Sequence, residues 1–181
     1  MTMTAPTPRL VHSAFLGSTE RAAVRALLTS VFPDDSTDDN LEHAFGGMHA
    51  MIWAGGELVA HGSVVMRRLL HKDAALRTGY VEGVAVRPDR QRQGLGNAVM
   101  ASLETVISGA YDIGALSASE AGMPLYEKRS WLRWSGTASV LAPSGIVRTP
   151  EEEDCLFVLP VTAQLDFGGD LACDWRAGDV W

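Results

Sequence analysis

Between Met48 and Ser117 the chain changes its hydrophobic period twice, and the order of those changes restricts what it can fold into. Met48–Trp53 and Leu58–Leu70 are strand-like runs on either side of Gly55-Gly56, the pattern of an antiparallel hairpin. Ala75–Val86 supplies another strand, which Pro88 stops. From about Leu95 to Ala110 the period becomes helical, with Leu95, Val99, Leu103, Val106, Ile107 and Ala110 along one side. Ile113–Ser117 returns to a short apolar strand. Meander strands followed by a strand–helix–strand unit predict a mixed α/β or α+β sheet domain.

The flanks add detail. Arg9–His12 reads as a short edge strand, and Ser18 as the cap of a helix from about Thr19 to Phe32 that Pro33 ends. Ser36 or Thr37 is placed to cap a second short helix in an acidic stretch. A helix is expected from about Met123 to Arg129, then strands near Trp131–Leu141 and Leu156–Val161, with the last twenty residues irregular. No repeat or linker divides the chain, so one domain over 1–181 is expected, with 1–8 disordered and 163–181 an irregular segment.

A net charge of −7 points away from nucleic acid, which requires a basic excess, and toward neutral or cationic partners. Cys155 and Cys173 are too few for a disulfide framework and lack metal-ligand spacing. Met1–Pro8 has no apolar core to act as a leader, and no apolar run reaches the roughly 18 residues a spanning helix needs. The expected location is the cytoplasm, without membrane attachment.

Against this acidic background Arg87, Arg90 and Arg92 cluster directly after a strand ending Val84-Ala85-Val86, and Gln91-Arg92-Gln93-Gly94-Leu95-Gly96 then opens a helix. Glycines there let backbone approach a bulky anion, while the unpaired N–H groups and dipole of the helix start favour pyrophosphate. A third glycine for a dinucleotide fingerprint is lacking, and no Gly-Lys-Ser/Thr of a P-loop occurs. Gln91-x-x-Gly94-x-Gly96 resembles the coenzyme A signature of the GCN5-related N-acetyltransferase (GNAT) superfamily. Gly46-Gly47-Met48-His49-Ala50, Gly79-Tyr80-Val81-Glu82-Gly83-Val84-Ala85-Val86, Ser139–Pro143 and Cys173–Trp181 are similar to segments of the aminoglycoside 2′-N-acetyltransferases. That likeness covers essentially the whole chain, and its ending is more specific than the coenzyme A turn.

The resemblance implies a mixed, mostly antiparallel central sheet flanked by helices. It also implies acetyl-coenzyme A as cosubstrate, a polycationic amine acceptor, no metal, and a homodimer. Cofactor contacts would come from Val84, Ala85, Val86, Gln91, Arg92, Gln93, Gly94, Leu95 and Gly96. Acetyl transfer needs an amine stripped of its proton, a polarised carbonyl and a proton for the departing thiolate. Glu82, on the strand face shared with Val84 and Val86, is the candidate base and a substrate ligand, with Gly83 beside it marking a bulge or a close backbone approach. Tyr126 is the candidate acid, and the Val84 N–H the group that polarises the thioester carbonyl. Ser117, Asp35, Asp179, Trp181 and one of Glu151 or Glu152 are the expected acceptor contacts, with the tail folding back so that Trp181 anchors it. Relatives tend to carry Asp in the second acidic cluster, where this chain has Glu.

Other constellations fail: His43, His49 and His61 lack metal spacing, and no Gly-x-Ser-x-Gly elbow occurs. The competing readings keep the cofactor with another amine acceptor (a polyamine, an amino sugar or a protein amine), or make the chain a silent coenzyme A- or aminoglycoside-binding module.

Overall fold

The computed structural model describes residues 6–181, which divide into two compact units, one holding residues through Val65 together with Val81–Val106 and the other Met66–Tyr80 with Ile107–Trp181. The disorder expected for 1–8 lies outside the described residues at 1–5, and residues 6–8 enter the first strand without regular structure.

In the first unit β1 (Arg9–His12) pairs antiparallel with β2 (Met48–Ala54), which pairs antiparallel with the first part of β3 (Glu57–His71). The C-terminal part of β4 (Ala74–Val86) lies beside β3. Helix α1 (Ser18–Val31) buries Val24, Leu27 and Leu28, whose spacing keeps them on one face. Its cap is Gly17 rather than Ser18: Gly17 is extended, and the Glu20 carboxylate turns back to accept its N–H at 3.2 Å. Phe32 leaves helical geometry and Pro33 prevents resumption. Helix α2 (Asp38–Glu42) is capped by Thr37, whose hydroxyl accepts from the Asn40 N–H. Leu16, Val24, Leu27, Leu28, Leu41, Ala44, Met51, Leu58 and Ala85 form one apolar cluster here. Helix α3 (Leu95–Ala110) packs Val99 and Leu103 onto Gly62, where a Cβ would come within 2.8 Å of Val99 Cγ1 and 3.0 Å of Leu103 Cδ1.

In the second unit the remaining strands are β5 (Ile113–Ser117), β6 (Leu132–Arg133), β7 (Ala138–Ala142), β8 (Gly145–Arg148), β9 (Leu156–Pro160) and β10 (Leu171–Asp174). Their order is β6-β9-β5-β4-β3-β10-β7-β8, with parallel pairing at β4–β5 and β10–β7. Trp131, Trp134, Phe157, Leu116, Leu156 and Leu171 are buried among them.

Three expectations are corrected in this unit. The strand expected over Trp131–Leu141 is two strands, because β6 pairs with β9 whereas β7 pairs with β8 and β10, and the chain turns between them at Ser135-Gly136. The helix expected to Arg129 is shorter, α4 (Met123–Glu127). The final segment is not irregular throughout, since it contains β10. Among the described residues no helix is long and apolar enough to cross a membrane.

Candidate active site

Within the first unit, β4 breaks its extended geometry at Gly83, whose φ is +56°. Glu82, Gly83 and Val84 are half-buried there, and the Glu82 carbonyl accepts from the Ser63 hydroxyl at 3.4 Å. The Gly83 carbonyl turns to His61, 2.9 Å from Nδ1. His61 Nε2 lies 2.9 Å from His49 Nδ1, and His49 Nε2 lies 2.7 Å from the Ser13 hydroxyl. Both imidazoles are fully buried. The left-handed break at Gly83 is tied to a buried polar chain that motif reading missed.

Beyond β4, Pro88–Arg90 form one 3₁₀ turn, Arg92 and Gly94 take φ of +59° and +80°, and α3 begins. Its first intrahelical bond in this region runs from the Ala98 N–H to the Gly94 carbonyl, at 3.0 Å. The N–H groups of Leu95 and Gly96 precede that ladder and are oriented along the helix axis toward the turn. Gln91, Arg92, Gln93 and Gly94 are exposed. Arg87 is already clamped by two carboxylates, Asp89 at 2.6 and 2.9 Å and Glu57 at 2.5 Å. Arg90 keeps a looser ion pair of 3.8 Å with Asp89. The turn therefore offers backbone amides and two arginines to a pyrophosphate. Asp35 ends a separate exposed 3₁₀ turn of this unit, Pro33–Asp35.

Within the second unit, the Ser117 hydroxyl at the end of β5 donates to the Glu152 carboxylate at 3.0 Å. Burial is the main cause that raises the Glu152 pKa above the ordinary range, with Glu151 and Asp179 pushing the same way and the Ser117 bond opposing them. Glu151 is exposed, so of the two glutamates only Glu152 is drawn to Ser117. Tyr126 on α4 is buried against Trp131 and Phe157, and burial pushes its phenol up to about 12. It is thus a proton-bearing group at neutral pH.

The tail is tightly held, a feature sequence reading located without its partners. Trp181 is buried and its indole N–H donates to Thr149 Oγ1 at 2.8 Å. Arg176 donates to the main-chain oxygens of Asp179 at 2.7 Å and Trp181 at 2.8 Å. Buried Arg67 donates to the Asp174 carboxylate at 2.7 Å, to its carbonyl at 2.8 Å and to the Val180 carbonyl at 2.7 Å. Both guanidiniums lie over the Tyr80 ring, 4.7 and 5.6 Å from its centre. Arginines scattered at 67 and 176 give no local motif, which is why the partners that hold the tail were not legible.

The first unit thus carries a strand with a left-handed break, followed by an amide-rich turn that opens a helix. The model of the Acetyltransferase (GNAT) family matches residues 19–131, and the chain belongs to that family. It is 51% identical over 179 residues to a protein of Mycolicibacterium fortuitum named aminoglycoside 2′-N-acetyltransferase, covering 97% of this chain and 92% of that one. Among solved structures it is similar to a GNAT family N-acetyltransferase (YhbS) from Escherichia coli in complex with CoA, with a TM-score of 0.61, 14% identity and coverage of 96% and 93% of the two chains. It is similar also to Eis1 from Mycobacterium abscessus, with a TM-score of 0.59 and 18% identity; 74% of this chain is covered, and it spans 33% of that longer chain. These two structures share the fold.

Proposed function

We propose that residues 1–181 act as one acetyltransferase domain that moves the acetyl group of acetyl-coenzyme A to the 2′-amine of aminoglycosides. The observation that carries this reading is the 51% identity, sustained over 97% of the chain, to a protein of that name. The coenzyme A end falls to Val84, Ala85 and Val86 and to Gln91–Gly96, where amides and Arg92 would meet the pyrophosphate. Glu82 takes the proton of the amine, directly or through water, and the Val84 N–H polarises the thioester carbonyl. Tyr126, whose phenol burial keeps protonated, returns a proton to the thiolate. Gly83, Ser117, Asp35, Glu152, Asp179 and the Trp181 end of the tail are the acceptor contacts, with Glu152 preferred to Glu151 because it is the half-buried member. Having given its hydrogen to Glu152, Ser117 retains lone pairs for an ammonium group.

The same reading places the protein in the cytoplasm as a homodimer; exposed Leu141, Ile146 and Val147 on β7 and β8 are apolar surface that a second copy would cover. Sedimentation measures that directly.

Thiol release from acetyl-coenzyme A across a panel of amines tests the function. Kanamycin B, which carries a 2′-amine, is expected to be acetylated there, and kanamycin A, which carries a hydroxyl, is not. Efficient 2′-independent turnover of kanamycin A overturns the regiochemistry. Turnover restricted to polyamines or amino sugars moves the acceptor, and coenzyme A binding without turnover leaves a binding module.

A further inference from the structure

The buried chain behind β4 has a direction that its chemistry fixes. A carbonyl oxygen can only accept, so His61 Nδ1, 2.9 Å from Gly83 O, carries the hydrogen. Burial holds His61 and His49 neutral, with pKa values lowered to about 4 and about 3, so each ring has one N–H. Burial is the largest cause in both, with Arg21, His12 and the second imidazole adding to it at His49. His61 Nε2 is then bare and accepts from His49 Nδ1 at 2.9 Å. His49 Nε2 is bare in turn and accepts from the Ser13 hydroxyl at 2.7 Å. The Ser13 oxygen is left to accept, and the N–H groups of Gly46 and Gly47 supply it at 2.8 and 3.1 Å. Turning the Ser13 hydrogen to the Gly47 carbonyl at 3.1 Å would set two lone pairs face to face at the Ser13–His49 contact. One arrangement satisfies every group, and it ends on Gly83.

We propose that Ser13, His49 and His61 form a one-way hydrogen-bond relay that holds the Gly83–Val84 peptide plane, making His61 a positioning residue for the Val84 N–H. This rests on the assignment of that N–H to the thioester carbonyl. In a trans peptide, C=O and the following N–H point in opposite directions within one rigid plane, and no peptide bond described here is cis. Drawing the Gly83 carbonyl inward to His61 therefore drives the Val84 N–H away from the histidines. Glycine permits a φ of +56° but does not impose it, since it takes negative φ as readily. The relay supplies the missing constraint.

Imidazole ¹⁵N NMR of the intact protein reads the relay without any variant. Both His49 and His61 are expected to be protonated on Nδ1 and bare on Nε2, unchanged between about pH 5 and 8. A hydrogen on His61 Nε2 overturns the relay. For positioning, His61→Asn keeps an N–H where Nδ1 stood and His61→Phe removes it. His61→Phe is expected to lower kcat by about 10- to 100-fold, within the range for a lost oxyanion donor, with the Kd for coenzyme A little changed. His61→Asn is expected to restore most of kcat. Equal losses in both variants at matched melting temperatures overturn the positioning role. If His61→Phe does not fold, His49→Phe, which removes the relay one step further back, takes its place with the same expectation. An unmoved kcat despite a shifted Val84 amide resonance overturns the Val84 assignment instead, and the tautomer measurement stands apart from it.

Discussion

A methyl group on Gly83 would meet Leu28 Cδ2 at 3.0 Å, on a backbone whose φ of +56° L side chains rarely adopt. Gly83→Ala is therefore expected to cost about 1–3 kcal/mol of stability, measurable by urea unfolding, and to depress kcat together with it. Glu152 offers a pH test. Its raised pKa means the free protein holds a proton there at mildly acidic pH, which a bound ammonium expels. Acceptor KM should then fall as pH rises above the ordinary glutamate value of about 4.3, and Glu152→Gln should flatten that dependence; a profile identical in both proteins removes Glu152 from the acceptor contacts. At this scale the sequence proposed Glu82, Ser117 and Tyr126 as site residues through a resemblance, but left Glu151 and Glu152 equivalent, because the difference between them is burial. The histidines were invisible for a register reason. Pairing Ala54↔Glu57 and Trp53↔Leu58 across the turn would, if continued, put His49 and His61 on opposite faces of the hairpin. The register shifts between Ile52 and Trp53, giving Met51↔His61 and His49↔Ser63, and that single step places both rings on one face.

Elements were legible where one face alone is buried and the period is long, as in α1 and α3. They were misread where partners are distant: β6 and β7 follow closely in sequence, yet each answers to a different neighbour. The coenzyme A turn shows the same division. Three arginines read as one basic cluster, while the fold binds Arg87 to Asp89 and Glu57 and leaves the turn to Arg90 and Arg92. Calorimetry should thus find that Arg92→Ala weakens coenzyme A binding, more so at low salt, and that Arg87→Ala changes it less. Equal losses would mean that Arg87 exchanges its carboxylates for the ligand.

At the scale of the molecule, acid should be its weak side. His49 and His61 stay neutral in the fold down to about 3 and about 4, whereas an unfolded chain takes up those protons from the ordinary value of 6.5 downward. Between those limits the unfolded state binds more protons, so stability rises with pH and is lost as pH falls through this window. The melting temperature should drop between about pH 6.5 and 4, and His61→Asn should remove part of that slope; a flat profile in the wild type would contradict the buried neutral pair. Sequence reading missed two strands, β8 and, inside the order of its unit, β10. Leu171-Ala172-Cys173-Asp174 has no β-branched residue, and its strand state is imposed by β3 on one side and β7 on the other. It is also the latest strand in chain order, although it lies inside the order of its unit. While the chain is being synthesised, β3 at Leu69–Leu70 and β7 at Ala138–Leu141 must therefore wait, each with an open row of backbone donors and acceptors, until residue 174 has emerged. A ribosome that stalls before residue 171, or a message with a premature stop there, would release a chain with two adhesive edges, a burden on the cell's chaperones rather than a merely silent enzyme.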